Sequence, residues 1–563
     1  MNLDSDKHNV QALTRALVSH GVRHVVLSPG SRNAPLIIST SREESLETSI
    51  VIDERSAAFI ALGMAAQSRK PVALICTSGS AVLNYAPAVA EAYYREIPII
   101  VISADRPRQW IDQDDSQTIR QPEILRNIVK HSCDIDVDCT DSSLRRMAVR
   151  DINDTLIAAT SGRPGPVHIN IHLDIPLGNL AEKELTKDSV SAVLPRMTMP
   201  MAQVRSLARE LNGKRVLVIC GFMAPDRNLS RGISRMASVP NIAVMIEAQS
   251  NIHGRGLIRR IDTTLSSMSL EEKEDMAPDV VITLGGSLVS RFVKGWLRKV
   301  PGLEHWHIGM RGMSVDPFNA LTRRIEMDPE AFIPLLASAC IGQHEVSDYG
   351  LRWRTIASEA EKRGDEFAAH AEWSDLSALY HIISNIPTRF NLQLSNGTAV
   401  RYCQLFGYGH IHRIDSNRGV SGIDGSTSTA LGASVLYDDP TLLITGDMSA
   451  QYDIAALGSN LVTPKFKIIV LSNGGGGIFR FIGLTKKAPE LESCLGSQIN
   501  FPVEKLAEAY GFSYFRAEDS GSLSKEFNRF CFESEKPAVL EVVTDGELSA
   551  EILNDYFKNL QKH

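Results

Sequence analysis

The sequence predicts three α/β domains, each a mostly parallel sheet flanked by helices. Three observations carry this. Short runs rich in Val and Ile, such as Pro71–Cys76 and Ile97–Ser103, alternate with helical patterns. Buried parallel strands read as continuous apolar runs of this kind because helices cover both faces of the sheet. The same rhythm then resumes twice, after a stretch near residues 176–200 that shows no clear period and a polar stretch near 342–363. Finally, glycines and short polar residues follow several of the apolar runs, where open α/β sheets place their ligands.

Taken in order, Asn9 is expected to cap a helix with apolar positions Val10, Leu13 and Leu17, stopped by Gly21. A strand His24–Ser28 follows and breaks at Pro29-Gly30. A small-residue helix runs over about 56–67, and Gly79–Glu96 reads as helical. In the middle, Arg215–Cys220, Ile242–Ile246, Val280–Leu284 and His305–Ile308 read as buried strands. Near the C-terminus, Thr441–Thr445, Phe466–Leu471 and Ala538–Val543 do. The domains are placed at residues 1–180, 200–345 and 360–563.

Composition agrees with several globular domains. The chain has 563 residues, three or four times the roughly 150 typical of a domain. Hydrophobic residues are 43% and charged residues 22%, which excludes a disordered, collagen-like or disulfide-stapled chain. A net charge of −7 argues against a nucleic-acid binder, which shows a basic patch or stripe. None of the eight cysteines forms a CxxC pair, so they read as buried free thiols in a reducing compartment. With no apolar run long enough for a span and a polar N-terminus, the expectation is a cytoplasmic protein.

The strongest chemical signal lies near the C-terminus. Gly446-Asp447 follows one predicted strand, and Asn473 followed by Gly474-Gly475-Gly476-Gly477 ends another, 26 positions after Asp447. That separation fits a helix and a return strand, which would bring both side chains to the same end of the sheet. A carboxylate and an amide oxygen are hard donors suited to Mg²⁺. Bare glycines let backbone groups approach a diphosphate closely. Either half alone would be an ordinary strand–helix loop. Asp53-Glu54-Arg55 is the second signal, an acid opening a nearly apolar small-residue run. A lone acid there would usually be a surface charge at a helix N-terminus.

The Gly-Asp…Asn pair resembles the motif of thiamine diphosphate enzymes. That resemblance implies that Asp447, Asn473 and the Gly475 carbonyl hold Mg²⁺ or Mn²⁺, which anchors the cofactor's diphosphate. It implies that Glu54 bonds the aminopyrimidine ring and promotes its imino tautomer. Gly162-Arg163-Pro164-Gly165-Pro166-Val167-His168 is similar to the closing strand of the pyrimidine-binding domain in that superfamily. The first domain would then bind the pyrimidine and the third the diphosphate and metal.

Further loops narrow the resemblance. They are Ser28-Pro29-Gly30-Ser31-Arg32-Asn33-Ala34-Pro35-Leu36, Cys76-Thr77-Ser78-Gly79-Ser80-Ala81, Ser103-Ala104-Asp105-Arg106-Pro107, Gln117-Thr118-Ile119-Arg120-Gln121, and the run from Ser416-Asn417-Arg418-Gly419 to Gly425. Together they resemble the family of 2-succinyl-5-enolpyruvyl-6-hydroxy-3-cyclohexene-1-carboxylate synthases of menaquinone biosynthesis. The likeness covers most of the first and third domains and is thin across the middle. It implies decarboxylation of 2-oxoglutarate and addition of the succinyl unit to isochorismate. Both substrates carry two carboxylates, and Arg suits planar bidentate pairing with them. By the match, Ser31, Arg32, Arg106 and Gln117 bind isochorismate or orient the intermediate, and Arg401 and Arg418 hold carboxylates. Ile423 props the cofactor into its bent shape, and Phe479 lines the pocket. Asn396, Thr398, Ser421 and Gly422 are further cofactor positions, as are Gly446, Met448 and Gly476. A homodimer at least, or a tetramer, is implied, with Glu54 and Asp447 acting across a subunit interface.

Some positions depart from the pattern. Met448 stands where a glycine is usual, Asp114-Asp115-Ser116 replaces Gly-Ala-Asn, and Asn396-Gly397-Thr398 replaces an Asn-Ser pair. A basic pair of the middle domain is represented by Arg291 and Lys294 around Phe292. His410 and His412 lack a third metal ligand, His305 and His307 read as structural, and the 271–275 charge run reads as a solvated helix face. Three rivals stand beside this reading. One is another thiamine diphosphate-dependent decarboxylase or carboligase, such as an acetolactate synthase-like enzyme. Another is a non-catalytic thiamine-binding protein. The last is a nicotinamide-dependent oxidoreductase, which would need a GxGxxG turn after a first-domain strand, and none is present.

Overall fold

The computed structural model describes residues 3–184, 189–195, 197–341, 346–481, 485, 487–496 and 501–561. The chain forms two compact units. One comprises Met1–Pro195, Asn417–Asp438 and Tyr452–Thr463; the other comprises Arg196–Ser416, Asp439–Gln451 and Pro464–His563.

In the first unit a six-stranded sheet runs in the order Glu47–Ile50, His24–Leu27, Val72–Cys76, Ile99–Asp105, Val167–His172, Ser132–Ile135. Every pairing is parallel, with Leu27 opposite Ile75 and Cys76 opposite Ser103. The strand Ile99–Asp105 is buried along its whole length, as a strand covered on both faces must be. A two-stranded antiparallel pair joins Leu3–Ser5 to Leu180–Glu182, the second of which falls in the stretch 176–200 that showed no period.

The helix Glu54–Ser68 begins where the Asp53 carboxylate accepts the Ser56 N–H at 3.1 Å. It ends at Arg69, which adopts the left-handed conformation. Its run Ser56–Ala65 is buried throughout. The small residues matter because the helix Ser426–Val435 crosses it at backbone contact. A Cβ on Gly63 would fall 2.0 Å from the Thr429 carbonyl oxygen, and one on Gly432 would fall 2.0 Å from that of Ile60.

The second unit holds two parallel sheets. One has five strands in the order Ile242–Ile246, Val216–Cys220, Val280–Leu284, Glu304–Ile308, Leu321–Ile325. The other has six, in the order Arg413–Ser416, Asn391–Leu394, Thr441–Gly446, Phe466–Ser472, Ala538–Val543, Ser513–Ala517. The fold class read from the sequence, α/β with mostly parallel sheets between helices, is therefore what the chain adopts.

Two local readings are corrected. The first helix is His8–Ser19 with Lys7 at its N-cap, so Asn9 lies inside it. The Asn9 amide is instead spent on the Asp136 carbonyl at 3.1 Å. The helix expected over Gly79–Glu96 is divided into Ala81–Asn84 and Ala86–Arg95, because Pro87 has no N–H to continue the first piece. Within the polar stretch, Tyr349 begins a 22-residue helix that runs to His370. Tyr349, Trp353, Ala357, Ala360, Gly364 and Ala368 recur every three or four positions and form its buried stripe. Among the described residues no helix is long and apolar enough to cross a membrane.

Candidate active site

In the second unit, strands Thr441–Gly446 and Phe466–Ser472 are parallel neighbours with Gly446 opposite Leu471. The residues that follow them, Asp447 and Asn473, therefore emerge side by side. The Asp447 carboxylate accepts the Met448 N–H at 2.7 Å through Oδ1 and the Gly475 N–H at 2.9 Å through Oδ2. Burial pushes its pKa up, against the N–H groups of Met448, Gly475, Asn473 and Gly474, which favour the charged form.

Gly474, Gly475 and Gly476 have φ of 81°, 84° and 61°, three consecutive left-handed residues that only glycine adopts without strain. A Cβ on Gly476 would meet the backbone of Gly496 at 2.6 Å. The Gly476 N–H lies 3.0 Å from the Met448 sulfur, so Met448 packs against this loop. The Gly475 carbonyl accepts from Arg480 at 3.0 Å. A carbonyl has two lone pairs, so that bond leaves one available.

Asn473 donates its amide nitrogen to the Asp375 carboxylate at 2.8 Å, and Thr544 donates to the other Asp375 oxygen at 2.6 Å. A Cβ on Gly477 would sit 3.2 Å from that amide nitrogen and 3.7 Å from Thr398 Cγ2, which brings Thr398 to the same place. Asn396 is buried at the end of the strand Asn391–Leu394, and Thr398 opens the short helix Ala399–Cys403.

Beside this group lies a cavity of about 350 Å³. Thr398, Arg401 and Tyr402 line it, as do Ile478 and Phe481. Asp262, Arg291 and Phe292 also line it, with Leu553, Asn554 and Phe557 from the C-terminal helix Gly546–Leu560. Phe479 is half-buried but does not line this cavity; its neighbours in the helix Gly477–Phe481 do. Arg401 donates to the Gly397 carbonyl. Burial lifts the Asp262 pKa to about 6, opposed by the Ser290 hydroxyl and by the charges of Arg401 and Lys294.

In the first unit, Glu54 is the first residue of its helix and half-buried, with Asn84 Nδ2 at 3.5 Å. Ile52 beside it is 82% exposed and Leu83 47% exposed. Arg32 is buried and donates to the Leu173 carbonyl at 2.8 Å; burial and the nearby Arg106 both lower its pKa. Ser31 is exposed, and Gln117 adopts a left-handed conformation at φ 56°. Arg106 forms an ion pair with Asp115 at 2.8 Å, so one of the two added acids is paired with an expected substrate-binding cation.

The loop carrying Arg418, Ser421, Gly422 and Ile423 is pinned from the helix Ala86–Arg95. Glu91, 1% exposed, accepts the N–H groups of Gly419 at 2.8 Å and Val420 at 2.7 Å. Arg95 donates to Asn417 Oδ1 at 3.0 Å. Sequence reading singled out neither Glu91 nor Asp375. The signal available for Glu91 was an acid between alanines in an apolar run; Asp375 looked like an ordinary helix-opening acid.

His305 and His307 both hydrogen-bond Thr283, at 2.7 and 2.9 Å, within the five-stranded sheet. Among the described residues no group of three or more His, Cys, Asp or Glu side chains is arranged to hold a metal ion.

Comparison with known proteins locates two family matches. Residues 8–124 match the N-terminal TPP binding domain of thiamine pyrophosphate enzymes, and residues 396–542 match the C-terminal one. Full-length relatives are similar throughout. The 2-succinyl-5-enolpyruvyl-6-hydroxy-3-cyclohexene-1-carboxylate synthase of Porphyromonas gingivalis is 39% identical over 562 residues, covering 98% of this chain and 97% of its own. The enzymes of that name from Christiangramia forsetii and Flavobacterium psychrophilum are 36% and 35% identical, covering 96% and 98% of both chains respectively.

Proposed function

This chain belongs to the family of 2-succinyl-5-enolpyruvyl-6-hydroxy-3-cyclohexene-1-carboxylate synthases, thiamine diphosphate enzymes of menaquinone biosynthesis, and from that premise we propose that it decarboxylates 2-oxoglutarate and adds the succinyl unit to isochorismate. The observation that carries the site assignment is the convergence of Asp447 and Asn473 at adjacent strand ends, where Asp447 accepts the N–H of Gly475, two residues after Asn473, at 2.9 Å.

The residues present fit the cofactor. Three left-handed glycines leave a backbone cradle that a Cβ at Gly476 would disrupt, next to a buried carboxylate and an amide. Asp447, Asn473 and the Gly475 carbonyl would hold Mg²⁺ or Mn²⁺, all of them hard oxygen donors. Asn396, Thr398, Gly446, Met448, Gly476 and Phe479 surround that position in sequence or space. Thiamine diphosphate supplies the carbanion chemistry when bound; the protein supplies orientation and electrostatics. Glu54 holds a proton at the aminopyrimidine, and Ile423, with Ser421 and Gly422, supports the cofactor's shape.

The arginines bind the acids. Arg401 takes a carboxylate of 2-oxoglutarate at the cavity it lines together with Arg291. Ser31, Arg32, Arg106 and Gln117 would bind and orient isochorismate, and Arg418 would hold a substrate carboxylate. Replacing Arg401 by Gln removes one charged hydrogen bond, worth about 1.5–3 kcal/mol. The expected result is a KM for 2-oxoglutarate raised roughly 10- to 100-fold, measured by steady-state kinetics; an unchanged KM removes Arg401 from this role.

The active form is at least a homodimer, in which Glu54 of one copy serves the cofactor held by Asp447 of another. The exposed Ile52 and Leu83 beside Glu54 support a covered face there. Sedimentation equilibrium showing an active monomer would sink this. Eight free thiols, five of them buried, suit the cytoplasm. The deciding experiment measures CO₂ release and product formation from 2-oxoglutarate with isochorismate, with and without thiamine diphosphate and Mg²⁺. Preference for pyruvate over 2-oxoglutarate would favour an acetolactate synthase-like activity instead.

A further inference from the structure

We propose that Asp375 is a positioning residue that fixes which end of the Asn473 amide faces the metal. The inference rests on the assignment of Asp447 and Asn473 as metal ligands.

An asparagine side chain has an oxygen and a nitrogen of nearly equal size at its tip. Only the oxygen ligates a hard cation; the NH₂ group presents protons to it. Asn473 follows directly after the strand Phe466–Ser472, and a rotation of its amide by half a turn would exchange the two ends. Asp375 removes that freedom. Its carboxylate only accepts hydrogen bonds, so the amide nitrogen must face it, as it does at 2.8 Å. The oxygen is thereby turned away from Asp375. Thr544 holds the carboxylate from its other oxygen at 2.6 Å, and the Asp375 N–H is itself tied to Ser549 Oγ at 3.0 Å.

A purely structural role explains less. Asp375 opens the helix Asp375–Asn385, but that helix is already capped by the reciprocal Ser374 and Ser377 bonds. Its side chain is fully enclosed, and a buried carboxylate is costly unless its partners are specific. An amide at position 375 would be as large, yet could face Asn473 with either end and so would no longer dictate its orientation.

The test measures metal binding directly. Mn²⁺ is titrated into apoenzyme saturated with thiamine diphosphate, and the free-ion electron paramagnetic resonance signal gives Kd. Asp375→Asn is expected to raise the Mn²⁺ Kd roughly 10- to 100-fold, the range found when outer partners of metal ligands are removed. Asp375→Glu, still an acceptor only, should recover most of the affinity. In turnover, the Asp375→Asn defect should appear mainly as a higher apparent KM for metal and shrink as Mn²⁺ is added. A Kd within twofold of wild type for Asp375→Asn, while Asp447→Asn abolishes binding, overturns this inference and leaves the site intact. If wild type itself takes up no Mn²⁺, the site assignment fails and the inference falls with it. Should Asp375→Asn not fold, the smaller Asp375→Ser decides: it removes the acceptor-only carboxylate, and a Kd raised roughly 10- to 100-fold is expected on the same grounds. An unchanged Kd overturns the inference.

Discussion

Glu54→Gln is expected to fold normally and to lose between about 10² and 10⁴ of wild-type turnover, the usual contribution of a positioned proton-transfer group. The helix it opens does not depend on its charge, because Asp53 supplies the cap through Ser56. What is lost structurally is an acid in the first helical turn, worth roughly 0.3–1 kcal/mol. Gln keeps the shape and a carbonyl acceptor but cannot carry the proton to and from the aminopyrimidine. Melting temperature, sedimentation and thiamine diphosphate binding should therefore stay near wild type while kcat collapses. Near-normal kcat would remove Glu54 from the mechanism and reopen the non-catalytic reading.

The second large effect is on stability. Ala is normally better than Gly inside a helix by about 1 kcal/mol. Gly432→Ala should nevertheless destabilise the protein by about 3 kcal/mol or more, the upper range for overpacking. The added Cβ would lie 2.0 Å from the Ile60 carbonyl oxygen and 2.8 Å from its carbon, so it presses on backbone rather than on a side chain that could swing away. Gly63 meets Thr429 and Ala433 in the same way from the other helix. One of these helices begins at Glu54 and the other follows the loop carrying Arg418 and Ile423. A forced separation should thus lower both the denaturation midpoint and activity. The check is a urea titration of the holoenzyme, and a midpoint at or above wild type would refute the close-packing explanation.

The two effects differ in how far sequence could foresee them. Strands such as Ile99–Asp105 and Val280–Leu284 announce themselves because burial on both faces demands unbroken apolar runs. Asp447 and Asn473 were legible for a related reason: residues just after adjacent parallel strands must emerge together, whatever lies between them in sequence. Pairings across other distances leave no such mark. Asp375 meets Asn473 from 98 positions away, and Glu91 meets Gly419 from 328. Each looked locally like an unremarkable helix acid. The helix Tyr349–His370 was missed because its buried stripe is built mostly of Ala and Gly, which carry little hydropathy. The cation–acid pair of Arg106 and Asp115 could not be read from charge alone, since adjacent Asp114 has the same character and adopts a left-handed turn at φ 56°.

Chain threading has a consequence for biosynthesis. The first unit draws on Asn417–Asp438 and Tyr452–Thr463, which leave the ribosome only after the five-stranded sheet has been synthesised. Until then the small-residue helix that starts at Glu54 waits without the helix Ser426–Val435 that covers it. Nascent chains truncated before residue 417 should therefore expose sticky surface and recruit chaperones, and no single uninterrupted stretch of the gene encodes either unit alone.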